Sequence, residues 1–407
     1  MRKTSDRTAL EDKSVVIAGA GPVGLTAALA LGKAGIHVRV LEAAAGLQED
    51  PRASTFHPPT LDLFEASGVT SELLQNGLIC PHWQIRWHPS GERAVFDLSV
   101  LADETRHPYR LQCEQWKLVR ALYRRLQSIP CVEVRFGAEV TGVTQDHHGV
   151  EIAFNHDRRD ETLRAGILIG ADGARSAVRG AIGQTLTGDT YPETTMIVET
   201  PFPFEAHLVG LSFTNYCWRD GGNFSMLKVP DRWRVGIYPL AEMSVEEQLS
   251  DANIEATLQS IYPQPQPYTV LAKRPYRTHN RIVERYRVGR VFLAGDAAHL
   301  NSPTGGMGMN GGLHDAFNLT EKLIAVLTEG ADATLLDRYE RQRRPIALAE
   351  ILQQADRNRA RMREKDEAKR RATMDDLQSI AADRAKLKAY MLKTSMIDGL
   401  RQAAAIS

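Results

Sequence analysis

Two clusters in this chain put bare backbone and a carboxylate where ligand chemistry needs both. The first is Gly19-Ala20-Gly21-Pro22-Val23-Gly24, with Glu42 downstream. In that spacing the first glycine permits a tight turn, the second lets backbone approach a pyrophosphate, and the third lets a helix pack closely on a strand. The helix start then offers unpaired N–H groups and partial positive charge to phosphate oxygens. Glu42 is placed to accept hydrogen bonds from a ribose. The pattern indicates a dinucleotide site without separating FAD from NAD; a glycine turn in an ordinary α/β protein would leave the position of Glu42 to chance. The second cluster is Gly295-Asp296 followed by Gly305-Gly306-Met307-Gly308-Met309-Asn310-Gly311-Gly312. Asp296 can hold sugar or polyol hydroxyls. The glycine-rich loop can lie against a flat ring, with a helix N-terminus aimed at any negative charge the ring develops. So many glycines would be costly in a purely structural turn.

These clusters need elements to carry them. Ser14 to Ala18 is a short β-branched run that fits a buried parallel strand. The next helix runs through Leu25, Leu29 and Leu31 to about Gly35, and a second strand runs from His37 to Leu41, closing on Glu42. Together they make a βαβ unit. Alternation from Gln84 to Leu98 predicts antiparallel strands, and residues 111–127 predict a helix through Leu111, Trp116, Val119, Leu122 and Leu126. Strands are expected near Val132–Phe136, Val150–Phe154, 163–171 and 291–295. Three more, at 211–218, 223–229 and 232–239, belong to an aromatic-rich second domain. A helix is expected over 311–328. After Arg344-Pro345 the chain is helix-forming with dense mixed charge, which fits solvated surface helices or a dimer interface.

Composition bounds the partners. The chain has 407 residues, 43% hydrophobic and 25% charged, and its 50 basic residues balance 50 acidic ones. No global field draws it to nucleic acid or an anionic membrane. Cys80, Cys113, Cys131 and Cys217 lie far apart, which excludes the usual zinc spacing and a vicinal redox pair and fits a reduced, cytoplasmic protein. The uncharged stretch between Lys13 and Lys33 carries too many glycines, and Pro22, to be a membrane span.

With a third stretch added, Gly170-Ala171-Asp172-Gly173-Ala174-Arg175-Ser176-Ala177-Val178-Arg179, the chain resembles the group A flavoprotein monooxygenases of the para-hydroxybenzoate hydroxylase type. The resemblance covers most of residues 13–345. It implies an α/β Rossmann-like FAD domain (13–78, 105–188 and 279–345) interrupted by a mostly antiparallel β substrate domain (79–104 and 189–278). Residues 346–407 would form a C-terminal helical region. It implies FAD as cofactor, NADPH or NADH as co-substrate, and hydroxylation of a small phenolic or heteroaromatic compound by O2 through a flavin C4a-hydroperoxide. Residue by residue, Gly19, Gly21 and Gly24 would receive the FAD diphosphate and Glu42 the adenosine ribose. Arg52 and Gln115 would lie against the cofactor, Asp172 would contact it, and Asp296 would hold the ribityl chain. The backbone of Gly308, Met309 and Asn310 would meet the pyrimidine edge of the ring, with Pro303 beside it near the oxygen site. Met307 departs from the Gln of many relatives, which a loop working through its backbone tolerates.

The substrate-activating residues are less legible. Tyr216, Ser225 and Tyr238 lie on second-domain strands that could face the flavin, and His57 is near Arg52. Tyr216, Pro303 and His57 are the candidate catalytic set; His299 fits a structural role. No metal is implied. Trp83 and Trp87 do not form the Trp-x-Trp-x-Ile-Pro stretch of flavin halogenases, and no second GxGxxG points to a two-Rossmann reductase or Baeyer–Villiger enzyme. An epoxidase or dehydrogenase of the same fold, or a non-catalytic FAD-binding protein, remain the alternatives. A homodimer is expected from the long C-terminal helices.

Overall fold

The computed structural model describes residues 12–49, 53–220, 222–238 and 243–407. The apolar run Val15–Ala18 is buried at every position because it is central in a six-stranded sheet. It pairs in parallel with Ile167–Gly170 on one side and Val38–Glu42 on the other. Val291–Leu293 and Val132–Phe136 continue the sheet outward in parallel, and Arg287–Val288 closes one edge antiparallel. Burial on both faces explains why the central strands Val15–Ala18, Ile167–Gly170 and Val291–Leu293 read as continuous apolar runs. The registers Ala18↔Leu41, Ala18↔Gly170 and Gly170↔Leu293 bring four strand ends to one edge. Gly19, Glu42, Asp172 and Asp296 follow those ends, where open α/β sheets bind ligands.

A second, eight-stranded sheet lies beyond that edge. Its order is His299–Leu300, Ala272–Val283, Leu186–Thr200, Arg232–Ile237, Phe224–Val229, Thr214–Trp218, His82–Trp87 and Arg93–Asp97. Its pairs are antiparallel except Thr214–Trp218 with His82–Trp87. The fold is therefore the expected one, an α/β Rossmann-like unit with a mostly antiparallel second sheet and C-terminal helices.

Several local expectations change. Leu111 belongs to a short strand, Arg110–Gln112, paired with Thr55–Phe56 and Leu78–Cys80, and the helix begins only at Gln115. The run 163–171 is two strands in different sheets, Arg159–Ala165 and Ile167–Gly170. They part at Gly166, where a Cβ would lie 1.8 Å from the Asp12 carbonyl oxygen. The C-terminal helices are not free-standing. Met362, Met374, Leu377, Leu387 and Met391 pack on Trp83, Ile85, Phe96 and Trp218 of the second sheet, so their apolar side is already covered within the chain. Among the described residues no helix is long and apolar enough to cross a membrane.

The helix expected from Gly311 begins at Met307 and runs to Thr328, so three of the loop's glycines are helical. Their purpose is close packing. A Cβ on Gly312 would lie 2.8 Å from Val23 and 2.9 Å from the Gly295 Cα, and one on Gly311 would lie 2.5 Å from Ile351. Glycine-to-alanine changes inside a helix ordinarily stabilise by about 1 kcal/mol. Here Gly312→Ala should instead destabilise by about 1–3 kcal/mol through overpacking, measured by chemical denaturation, and should loosen the Gly295–Asp296 turn.

Candidate active site

Gly19 turns the chain at φ 101°, and a Cβ there would lie 2.4 Å from the Ala171 carbonyl oxygen. Gly24 is a packing residue: its Cβ would fall 2.0 Å from the Gly19 oxygen, and it does not line the cavity. Gly21 differs, because a Cβ on it would meet nothing within 4 Å. It caps the helix Pro22–Lys33 without any side-chain hydrogen bond, leaving the helix-start N–H groups toward open space. That space is a cavity of about 530 Å3 lined by Gly19, Gly21, Glu42, Gln115, Asp172 and Asp296 at one end and by Pro303 to Met309 at the other. Arg52 lies outside the described residues.

The carboxylates have distinct tasks. Glu42 accepts from the backbone N–H of Ala20 at 2.7 Å and of Ala44 at 2.9 Å, bracing the fingerprint turn as well as lining the cavity. Asp172 accepts from Val178 N–H through Oδ2 at 3.1 Å, while its Oδ1 is buried with no partner among the described residues. A buried carboxylate oxygen left unpaired is costly unless a ligand donates to it. With the open face of Gly21 and the uncapped helix, it fits a dinucleotide that brings hydroxyl and amide donors and a diphosphate.

At the far end, Gly305 and Gly306 take φ of 107° and 69°, and Gly306 caps the helix Met307–Thr328 without a side-chain bond. His57, a candidate for the reacting space, and Asn310, expected to meet the ring's edge through its backbone, have side chains that stand behind this loop. His57 is fully buried, and its Nε2 donates to the Gly305 carbonyl at 2.9 Å. Burial first, then the Arg110 cation, hold its pKa well below the usual histidine value, so it is neutral. Asn310 uses its whole amide: Oδ1 accepts from His57 N–H at 3.0 Å and the Thr60 hydroxyl at 2.7 Å, and Nδ2 donates to the carbonyls of Thr55 at 2.8 Å and Gly306 at 2.7 Å. Neither His57 nor Asn310 lines the cavity. Both position the loop.

Tyr216, Ser225 and Tyr238 line the same cavity from the second-sheet side, with Tyr216 paired to Ser225 across adjacent strands. Burial pushes the Tyr238 hydroxyl up to about 12, and it lies 3.5 Å from the Thr304 hydroxyl. Burial also raises Tyr216, against the opposing pull of Arg110. Both are neutral phenols at physiological pH, able to donate a hydrogen bond.

The sequence profile of the family described as "FAD binding domain" matches residues 12–355. Para-nitrophenol 4-monooxygenase of Pseudomonas sp. (strain WBC-3) is 36% identical over 398 residues, 95% of this chain and 96% of that protein. The 6-hydroxy-3-succinoylpyridine 3-monooxygenase HspB of Pseudomonas putida (strain DSM 28022 / S16) is 36% identical over 333 residues, 81% of this chain and 84% of its own. The crystal structure of p-nitrophenol 4-monooxygenase PnpA from Pseudomonas putida DLL-E4 superposes with a TM-score of 0.88 at 33% identity, covering 95% of this chain and 98% of that one. The chain belongs to the group A FAD-dependent aromatic hydroxylases.

In this hydroxylase the cofactor is FAD. What sequence reasoning missed is the brace beneath the site. The buried Asp315 accepts from His299 Nε2 at 2.8 Å, Arg343 Nε at 2.8 Å and the Gly295 N–H at 3.2 Å, fixing the turn that carries Asp296. Burial works against this carboxylate, yet Arg343 and His299 outweigh it and hold its pKa below the ordinary value. A lone acid among Leu313, Ala316 and Leu319 was the available signal; nothing in the sequence singled out Arg343 among its arginine neighbours.

Two outcomes follow. Asp172→Asn should fold but bind FAD about 10–100-fold more weakly, read by FAD fluorescence titration. The buried histidines set an acid limit: burial, then Arg343, lowers His314 to about 3, and His57 is lowered likewise. The unfolded chain protonates both near 6.5, so stability is complete above that pH and falls as pH drops toward 3, by about 1.4 kcal/mol per pH unit for each histidine. Urea unfolding at pH 7 and pH 5 should show this slope, and His314→Gln should remove one proton from it.

Proposed function

We propose that this hydroxylase uses NAD(P)H and O2 to oxygenate a small phenol or hydroxypyridine at the ring carbon para to its hydroxyl. The observation that carries the reading is a shared boundary: neutral Tyr216 and Tyr238 meet the loop at Gly305 and Thr304 and line one cavity together with Pro303 to Met309. The names of the two sequence relatives agree with it, since each puts the oxygenated carbon opposite a ring hydroxyl and at the position bearing the second substituent. FAD, when bound, supplies the passage of electrons from the nicotinamide and the activation of dioxygen.

The chain's own work is binding, orientation and exclusion of water. Gly19, Gly21, Glu42, Gln115, Asp172 and Asp296 are the proposed holders of FAD, with the backbone of Gly308 and Met309 at its ring. The uncapped start of Met307–Thr328 offers N–H groups to negative charge at that end. Tyr216 orients the substrate through its hydroxyl, and Pro303 closes the space beside the ring. Ile197, Leu227 and Tyr276 line the cavity from the second sheet and keep it dry. The four thiols, none in a disulfide, support a cytoplasmic setting.

The test is NAD(P)H consumption by the FAD-loaded protein with a panel of phenols and hydroxypyridines, followed by product analysis. Para-substituted members should accelerate consumption about ten-fold or more over the substrate-free rate, consistent with coupling of reduction to an occupied pocket. Equal rates with and without every aromatic tested would contradict the reading.

A further inference from the structure

The buried arginines of the chain are nearly all accounted for. Arg234 pairs with Glu199 and Arg343 with Asp315, while Arg86 and Arg370 donate to backbone carbonyls. Arg110 is the exception. It is 3% exposed, its Nε has no hydrogen-bond partner, and no carboxylate pairs with it among the described residues. Its guanidinium stands 5.0 Å from the Trp83 ring centroid and faces the Tyr216 hydroxyl. A buried cation is unfavourable unless anions or hydrogen-bond acceptors surround it; among the described residues Arg110 has the Trp83 face and the Tyr216 hydroxyl but no carboxylate, which leaves a place for an anionic ligand.

Arg110 lines a narrow cavity of about 20 Å3 with Tyr216, Thr304, Gly305, Met307 and Tyr390. The first four of these neighbours also line the large cavity, so the narrow one adjoins the flavin loop. Its size suits one functional group, on the order of a water molecule, and not a whole ring. The titratable and charged groups facing Arg110 are Tyr216, Tyr390, Cys80 and His57, and Arg361 lines the same cavity. None of these is a carboxylate.

We propose that Arg110, with Tyr216, is the specificity-determining anchor for the substrate's ring oxygen, which it takes as a phenolate. The phenol O–H bond breaks with its electron pair left on oxygen, and the proton passes to solvent. The negative oxygen then seats beside the hydrogen-bonded Arg110–Tyr216 pair, accepting from the Tyr216 hydroxyl and held by the Arg110 charge. Charge on that oxygen is delocalised to the para carbon, so the anchor both aims and enriches the carbon that is oxygenated. The inference rests on the phenol reading above and explains why a neutral tyrosine and an unpaired cation share one corner.

The experiment is binding of 4-nitrophenol to the FAD-loaded protein without NAD(P)H, because ionisation of this probe is visible in its absorbance. Wild type should bind it as the phenolate, with its apparent pKa lowered by about one unit or more. Arg110→Met should weaken binding by about 30-fold and leave the bound probe neutral, whereas Arg110→Lys should retain much of the phenolate signal. In wild type, 4-nitroanisole, which cannot ionise, should bind at least about ten-fold more weakly than 4-nitrophenol. That comparison decides the matter even if Arg110→Met does not load FAD. Equal affinity for the two probes, or an Arg110→Met protein that still binds the phenolate as tightly as wild type, overturns the anchor. Phenol-stimulated NAD(P)H consumption alongside either result would leave the hydroxylase reading standing without it.

Discussion

A loop that meets a flat cofactor with bare backbone has no side chains to hold its own shape, so something behind it must. In this protein that constraint is met by buried polar groups. Asn310 spends its entire amide tying Gly306 to the Thr55–Thr60 segment, His57 holds the Gly305 carbonyl, and Asp315 joins Gly295 to His299 and Arg343. All of these bonds except Asn310 to Gly306 join residues distant in sequence. The cofactor surface is therefore rigid before any ligand arrives, which is what pre-organised electrostatic recognition requires.

Around that brace the fold divides the labour between two sheets. The parallel sheet delivers Gly19, Glu42, Asp172 and Asp296 to one edge because its strands run the same way in tight register. The antiparallel sheet contributes Tyr216, Ser225 and Tyr238 to the same cavity. The C-terminal helices pack through Met362, Met374 and Met391 on the face of the second sheet that also carries Tyr216, and bring Tyr390 to the narrow cavity beside the glycine-rich loop. A segment that looks like charged surface helix is thus part of the walls of the substrate region.

Much of this was legible from local pattern. Steric demands at Gly19 and Gly24 are absolute, and a strand buried on both faces must be apolar, so the βαβ unit and both glycine clusters stand out in the sequence. What was illegible depends on partners far away. Leu111 fits a helix by spacing but pairs with Phe56 and Ile79 in a strand. The long strands Leu186–Thr200 and Ala272–Val283 are rich in threonine and charge, and it is pairing with each other and with their outer neighbours that makes them strands. His57 resembles a reactive histidine until its burial and its bond to Gly305 are seen. Arg110 carries no sequence signal, since an unpaired buried cation is defined by the anion that is missing.

The central proposal is that stretches near Gly19, Asp172 and Gly308 enclose a single FAD whose ring lies against the Pro303–Met309 backbone in the cavity that Tyr216 also lines. Diffraction from crystals of the FAD-loaded protein tests it most directly. The expected map has diphosphate at the start of Pro22–Lys33, a donor from the cofactor on Asp172 Oδ1, and the ring's pyrimidine edge within hydrogen-bond distance of the Gly308 and Met309 N–H groups. A ring density elsewhere in the molecule, with Asp172 Oδ1 still unpaired, would contradict it.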